Sequence, residues 1–180
     1  PLYRLRIEGR SRIPTEGPLI LAANHVSYWD AVFLQIACRR RIRWMLDEGY
    51  YNLPVLRWAF RYVGCIPVSE AGGNRAALSA AIGVLKAGGV LGIFPEGQLS
   101  RTGRMGRFRT GVAMLAARTG AAVVPVYLRG AFFAWHKGQA LPHLSRVEVR
   151  IGEPMHLRRR EEMGREGLQA FSDALMGSVK

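Results

Sequence analysis

The stretch LILAANHVSYWD, residues 19–30, contains the transition on which the fold depends, where an apolar run ends and a polar loop begins. The five apolar residues 19–23 have the length and composition of a buried strand. After the polar loop, Val32, Phe33 and Ile36 follow at the spacing of one face of a helix. A buried strand that passes through a short loop into a helix is the repeating unit of an α/β domain.

The rest of the chain continues this alternation. Strands are predicted at residues 3–8, 19–23, 42–46, 65–69, 90–94, 122–128 and 147–151. Helices are predicted at residues 28–38, 53–62, 74–87, 110–118 and about 161–179, with Pro54 in the first turn of the second helix. We therefore expect one α/β domain over residues 1–180, with a mixed, largely parallel sheet of about seven strands flanked by helices.

Composition supports a folded domain and limits its partners. Hydrophobic residues make up 49% of the chain and charged residues 22%, and no apolar run reaches the roughly 20 residues of a membrane-spanning helix. The net charge of +13 favours anionic lipids, phosphorylated substrates or other polyanions, although a solubilising surface explains it equally well. Because the chain starts at Pro1, we expect it to be cut from a longer protein.

The loop NHVSYWD, residues 24–30, supports two interpretations. Ser27 and Asp30 have the spacing of a capping box, in which each side chain bonds a free N–H at the start of a helix. Alternatively, His25 is a general base whose ring is held by Asp30. Ligands of α/β folds bind at strand ends, so the position of His25 suits the second interpretation, and both can hold together.

A second loop, FPEGQLSRTGRMGRFR, residues 94–109, follows another apolar strand. Its glycines allow close approach of the backbone to a ligand, and guanidinium groups bind phosphate through paired hydrogen bonds. A solvated basic loop is the alternative. Its four arginines are Arg101, Arg104, Arg107 and Arg109.

Two segments combine aromatic residues with arginine or lysine, a mixture that suits a membrane interface or an acyl-chain groove. For residues 53–62 we favour ordinary core packing, and for residues 130–137 both interpretations stay open. The remaining histidines, His136, His143 and His156, have no metal-ligand spacing, and no metal site is predicted.

Taken in order, these blocks resemble the glycerophospholipid acyltransferases, the PlsC-like or lysophosphatidic acid acyltransferase family. The first block, N-H-x-x-x-x-D, reads NHVSYWD and implies a catalytic pair of His25 and Asp30. The third block reads FPEGQLSR, and VVPVYL resembles the fourth. By resemblance, the third block supplies acceptor-site residues and a phosphate contact: Glu96, Gly97, Ser100 and Arg101.

The second block departs from the family pattern, because it reads GCIPVSE and places Glu70 where many members have arginine. Arg75, Arg104 and Arg107 are candidates for the missing phosphate or membrane contact. The motif FPEGQLSRTG, together with the missing arginine, looks most like the acyltransferase domains of 2-acylglycerophosphoethanolamine acyltransferases.

The resemblance implies an O-acyltransferase that moves a fatty acyl group from acyl-CoA or acyl carrier protein to the free hydroxyl of a lysophospholipid. It implies His-Asp base catalysis without a metal or cofactor, at the cytoplasmic face of the inner or plasma membrane, with peripheral attachment or an anchor in flanking segments. An anionic membrane surface is the expected partner, and nucleic acid is not. The alternatives are another acceptor, such as a lyso-ornithine lipid, or a non-catalytic basic module that docks on membranes.

Overall fold

The computed structural model describes residues 4–69, 74–157 and 164–179. Its elements are β1 (Arg4–Glu8), β2 (Leu19–Ala23), α1 (Asp30–Ala37), β3 (Ile42–Asp47), α2 (Glu48–Tyr51), α3 (Arg57–Val63), β4 (Ile66–Val68), α4 (Arg75–Lys86), β5 (Val90–Ile93), α5 (Gly111–Thr119), β6 (Ala122–Arg129), β7 (Arg146–Ile151) and α6 (Arg165–Ser178). Two short 3-10 helices lie at Arg10–Arg12 and Ala131–Phe133.

The seven strands form one sheet in the order β1-β7-β6-β2-β5-β3-β4. Every neighbouring pair is parallel except β6 and β7. The strands β2, β3, β4, β5 and β6 consequently end at the same edge, and β2 lies between β5 and β6 at that edge. The predicted α/β domain with a mixed, largely parallel seven-stranded sheet is confirmed.

The sheet separates two apolar clusters. Leu19, Leu21 and Ala23 of β2 face the cluster that contains the buried side of α1. Ile20 and Ala22 face the other cluster, which contains the buried sides of α4, α5 and α6. This alternation follows from the two-residue period of a strand and explains why β2 is apolar at all five positions.

The region predicted as a helix at residues 53–62 differs most from the structure. Asp47 caps α2 by accepting the N–H of Gly49 at 2.9 Å, and α3 starts only at Arg57. Pro54 lies in the turn between them, because a proline disfavours helical geometry in the residue before it. No residue of α3 is buried, so the expected core packing of this helix is wrong.

The other boundaries shift by a few residues. α1 begins at Asp30 instead of residue 28, because residues 28 and 29 form a turn. The predicted start of the last helix, near residue 161, lies outside the described residues, and α6 is described from Arg165.

Candidate active site

The two sequence blocks meet because their strands are neighbours. β2 and β5 pair in parallel, with Ala22 opposite Ile93. The loop after β2 therefore leaves the sheet beside the loop after β5, at the carboxyl edge where α/β folds bind ligands. Two hydrogen bonds at the backbone of His25 join the loops. The His25 N–H donates to Glu96 Oε1 at 2.7 Å, and the Ser100 N–H donates to the His25 carbonyl at 2.8 Å.

The His25 ring contacts the Asp30 carboxylate directly. The distance from His25 Nδ1 to Asp30 Oδ2 is 2.9 Å. The Asp30 side chain is fully buried, whereas 22% of the His25 side chain is exposed. The ring therefore joins a buried carboxylate to the surface of the protein.

The surroundings of Asp30 determine which ring nitrogen carries the proton. Oδ2 also accepts the backbone N–H groups of Val26 at 2.7 Å and Ser27 at 2.8 Å. Because Oδ2 already accepts two N–H groups, it acts as an acceptor for the ring as well, and the proton lies on Nδ1. The lone pair of Nε2 then makes that nitrogen the hydrogen-bond acceptor of the ring.

Burial has a cost at this carboxylate. Desolvation raises the pKa of Asp30 above its ordinary value, and the hydrogen bonds from His25, Ser27 and Val26 partly oppose that rise. Oδ1 of Asp30 is buried without a partner among the described residues. Asp30 is therefore expensive to keep ionised, which is a common property of functional groups.

The predicted capping box is half formed. Asp30 reaches back to Ser27 N–H as expected, but the Ser27 hydroxyl accepts from Trp29 N–H at 3.2 Å, one residue earlier than a capping box requires. The same hydroxyl donates to the Trp135 carbonyl at 3.0 Å. One turn of backbone thus starts α1 and brings the Asp30 carboxylate to the His25 ring, so the helix start and the His25–Asp30 contact occur together.

Two further contacts fix the loop and the ring. The buried Asn24 side chain pairs with both backbone groups of Leu128, donating to its carbonyl at 3.1 Å and accepting its N–H at 2.7 Å. The His25 ring stacks on Phe94 at a centroid distance of 3.9 Å, and Phe94 stacks on Trp44 at 5.2 Å. The imidazole plane is therefore held by an aromatic stack as well as by Asp30.

Glu96 is buried, and both of its oxygens accept backbone N–H groups. Oε1 receives His25 N–H, and Oε2 receives Gly106 N–H at 2.6 Å. A Cβ at position 106 would lie 3.0 Å from Oε2, so the glycine permits this close approach. Glu96, which was expected to lie in the acceptor site, thus connects the loop of residues 24–30 to residues 94–109, the arginine-rich loop.

The rest of the third block shapes this arginine-rich loop. Gly97 has a φ of 72°, and the Arg109 guanidinium group covers it. The Ser100 hydroxyl donates to the Arg104 carbonyl at 2.8 Å and so closes a turn within the loop. The side chains of Arg101 and Arg107 are exposed, and within the described residues they have no acidic partner.

Arg75 lies apart from the other predicted residues. It is the first residue of α4 and follows β4, which is separated from β2 by β5 and β3. Three strand spacings of about 4.8 Å place the end of β4 roughly 14 Å from the end of β2. Glu70, at the position where many members have arginine, lies outside the described residues.

Residues 94–109 contribute to the lining of two clefts. The smaller, about 250 Å³, is lined by Asn24 and Val26, which flank His25, and by aromatic residues that include Phe132 and Phe133. The larger, about 510 Å³, is lined by Glu96, Arg107, Arg109, Thr110 and Gln169. Each cleft is therefore lined in part by residues that adjoin His25 in sequence or contact its backbone.

Among the described His, Cys, Asp and Glu residues, no group of three is placed to hold a metal ion. No helix in the described ranges has the length and apolar character needed to cross a bilayer.

Several residues of the site could not be recognised from the sequence. Phe94 is part of the FPEG wording, but its contact with His25 depends on the pairing of β2 with β5. Trp44 lies on another strand and resembles any core aromatic in the sequence. The one available signal was Asn24, a polar residue at the end of a buried strand, where an amide can replace the backbone as a pairing partner.

A family model described as acyltransferase matches residues 4–129. A chloroplast 1-acyl-sn-glycerol-3-phosphate acyltransferase of Arabidopsis thaliana is 29% identical over 87% of this chain and 45% of its own length. The enzyme of the same name from Pseudomonas aeruginosa is 28% identical over 85% of this chain and 60% of its own length. The chain thus spans less than two thirds of these two curated relatives.

Similarity also extends to a solved structure, a 1-acyl-sn-glycerophosphate acyltransferase, PlsC, from Thermotoga maritima. The two folds superpose with a TM-score of 0.77 at 27% sequence identity. The match covers 96% of this chain and 69% of the other.

Proposed function

The chain belongs to the acyltransferase family, and on that premise we propose that it transfers a fatty acyl group to the free hydroxyl of a lysophospholipid. The observation that carries the proposal is the 2.9 Å contact between His25 Nδ1 and Asp30 Oδ2, placed beside the FPEG loop. A non-catalytic docking module has no need of a base oriented in this way. The contact between His25 and Asp30 therefore favours an enzyme over a binding module.

In the proposed reaction, His25 Nε2 takes the proton from the acceptor hydroxyl as its oxygen attacks the thioester carbonyl carbon. Asp30 keeps Nδ1 protonated and stabilises the imidazolium that forms. The tetrahedral intermediate then collapses, the C–S bond breaks, and the thiolate takes the proton from Nε2. The products are an ester and a free thiol, and His25 returns to its starting state.

The acceptor is proposed to be a 1-acylglycerol-3-phosphate, in line with the names of the relatives, or a 2-acylglycerophosphoethanolamine. Arg101, Arg104 and Arg107 support a phosphorylated acceptor, because their exposed side chains have no acidic partner among the described residues. Glu96, Gly97 and Ser100 contribute by shaping the loop that carries these arginines.

The donor is proposed to be acyl-CoA or an acylated carrier protein. Both are anionic, and the net charge of +13 favours their approach. The same charge supports a proposed working position on an anionic membrane, at the cytoplasmic face of the inner or plasma membrane.

A screen for thiol release tests the proposal. Acyl-CoA and acyl carrier protein would each be combined with lysophosphatidic acid, lysophosphatidylethanolamine and lyso-ornithine lipid, and products would be identified by mass spectrometry. We expect an acylated product with a phosphate-bearing lysophospholipid. Reaction with lyso-ornithine lipid alone would refute the proposed acceptor, and no acyl transfer from a folded chain to any acceptor would refute the activity.

A further inference from the structure

The helices cover the two sides of the sheet unequally. The buried faces of α4, α5 and α6 form one cluster on one side. On the other side, α1 is the one helix of eight or more residues that contributes buried side chains in the described part of the chain. Because β2-α1-β3 and β3-α2-α3-β4 step in the same direction along the sheet, right-handed connections place α2 and α3 on the α1 side.

Several large apolar side chains are exposed on this side. Val55 is 78% exposed, Trp58 71% and Tyr62 78%. On α1, Val32 and Ile36 also belong to the exposed large hydrophobic residues. Exposed apolar patches rimmed by polar residues mark sites of interaction with proteins or membranes.

Arginines surround these apolar residues. Arg57 and Arg61 are exposed on α3, and within the described residues neither has an acidic partner. Arg43 donates to the carbonyl of Val63 at 3.3 Å, and the Arg41 guanidinium lies 5.6 Å from the centre of the Tyr62 ring. The cations therefore border the apolar residues at both ends of α3.

Aromatic contacts lead from α3 toward the candidate active site, beginning with Phe60 of α3, whose ring centre lies 6.5 Å from that of Tyr51 in α2. The ring of Tyr28, three residues after His25, contacts the Tyr50 ring of α2 at 6.3 Å. It also contacts the Trp135 ring at 5.2 Å. Any surface that covers α3 would therefore extend toward the edge of the sheet where His25 lies.

We propose that Val55, Trp58 and Tyr62, with Arg57 and Arg61, form a docking face that inserts into the headgroup region of an anionic bilayer. This inference rests on the proposed function and adds to it the surface through which the protein meets its lipid. Apolar and aromatic side chains would enter the boundary of the acyl chains, and the arginine heads would remain at the phosphates. Lipid acceptors would then diffuse in the plane of the bilayer toward His25.

Charge favours a bilayer over a second copy of the chain. In a two-fold symmetric interface, the docking face would meet an identical face, and Arg57 and Arg61 of both copies would be brought together. Anionic headgroups instead complement both arginines. The apolar centre of the docking face is compatible with either partner, so the two arginines are the reason for preferring an anionic bilayer.

Vesicle binding tests the docking face without requiring catalysis. The full chain would be mixed with phosphatidylcholine vesicles, with and without about one third phosphatidylglycerol, and separated by flotation. We expect binding that increases at least about tenfold with the anionic lipid and decreases with salt. Equal binding to both vesicle types, or none to either, would overturn the proposal.

Trp58 supplies a direct probe of insertion. The chain has four tryptophans, and of these four Trp58 alone is among the exposed large hydrophobic residues. We expect the Trp58 emission to shift to shorter wavelength on anionic vesicles, and we expect that shift to be absent in Trp58→Phe. A bound protein with unchanged emission would contradict insertion of α3.

Matched charge variants separate the docking face from general electrostatics. Arg57→Gln with Arg61→Gln should weaken vesicle binding by about tenfold or more. Lys86→Gln with Arg118→Gln removes the same charge from α4 and α5 on the opposite side and should change binding less than threefold. Equal losses in the two double variants would overturn the proposal.

His25→Ala distinguishes this proposal from the proposed function. The variant should bind vesicles as the parent does, because His25 is not part of the docking face. Docking with no acyl transfer by the parent would leave the docking face supported and the enzyme proposal refuted. A parent that dimerises through α3, so that Trp58→Ser makes it monomeric without changing vesicle binding, would refute the docking face alone.

Discussion

At the scale of single residues, Asp30 has two tasks that oppose each other. It must be buried to hold His25 and the two N–H groups at the start of the loop, yet burial raises its pKa. The ionised carboxylate is therefore more costly in the folded protein than in the unfolded chain. The contribution of Asp30 to stability is most favourable at low pH, and it declines as the pH rises from the ordinary value through the raised pKa.

Asp30→Asn should separate these two tasks. The amide oxygen can still accept the backbone N–H groups of Val26 and Ser27, but the carboxylate that contacts His25 and is proposed to stabilise its cation is lost. We expect acyl transfer to fall by about a hundredfold or more, with a melting temperature at neutral pH no lower than that of the parent.

The pH dependence provides the control. The melting temperature of Asp30→Asn relative to the parent should increase as the pH rises above the ordinary range of an aspartate. A difference that decreases over this range would show that the ionised Asp30 stabilises the fold, contrary to our account.

Glu96 was expected to lie in the acceptor site, and its contacts suggest a different task. Both oxygens accept backbone N–H groups, from His25 and from Gly106. In Glu96→Gln, one N–H group would face an amide NH₂, which costs about 1–3 kcal/mol for a buried donor without a partner. We expect a melting temperature lower by several degrees and a lower kcat, measured by thermal unfolding and steady-state acyl transfer.

The alternative for Glu96 gives a different result. If this carboxylate chiefly binds the acceptor, Glu96→Gln should raise the KM for the lysophospholipid and leave the melting temperature unchanged. That outcome would contradict a positioning role for Glu96.

At the scale of elements, β5 supports the ring of His25 through a series of close contacts. A Cβ on Gly92 would lie 2.5 Å from the Trp44 indole, so a glycine leaves the space that this side chain fills. Trp44 then stacks on Phe94, and Phe94 stacks on His25. The aromatic series transmits the packing of a core strand to the proposed base.

Gly92→Ala should disturb this series. Overpacking of a buried site costs about 1–3 kcal/mol, and a shifted Trp44 would tilt Phe94 and His25. We expect a lower melting temperature and a lower kcat with little change in KM, compared by thermal unfolding and by kinetics well below the transition. Gly83→Ala on α4 is the matched control, because a Cβ there meets nothing within 4 Å and should be neutral or stabilising. Equal kcat in Gly92→Ala and the parent would contradict the role of the series.

The elements also show how far local patterns reach. All seven strands were predicted within a few residues, because apolar runs bounded by polar loops identify buried strands. α3 was assigned to the core because its composition is apolar, and only the structure shows that its residues are exposed. A pattern of apolar residues indicates that a side will be covered, but it cannot say whether protein or lipid covers it.

At the scale of the whole molecule, the site depends on strand order. The sequence predicts the pairing of His25 with Asp30, since the two residues are five positions apart and one turn can join them. The contacts of Glu96 and Phe94 with His25 depend on β5 lying beside β2. No local pattern encodes that pairing, because the two residues lie 71 and 69 positions from His25. The resemblance to a family predicts that the two blocks belong to one site, and the fold then shows their contacts.

The whole molecule carries a net charge of +13, and one of its faces exposes apolar residues that are bordered by arginines. This arrangement places the proposed base at one edge of the sheet and the proposed lipid contact on the adjoining side. A surface enzyme that takes its acceptor from a bilayer requires both features together.

The most direct test of the central claim is acyl transfer by His25→Ala beside the parent and His156→Ala, with folding checked by circular dichroism. His156 is an exposed histidine outside the candidate site, and its replacement should leave the rate unchanged. We expect transfer from acyl-CoA or acyl carrier protein to lysophosphatidic acid or 2-acylglycerophosphoethanolamine to fall by about a hundredfold to ten-thousandfold in His25→Ala. A folded His25→Ala that transfers the acyl group at the rate of the parent would contradict the account.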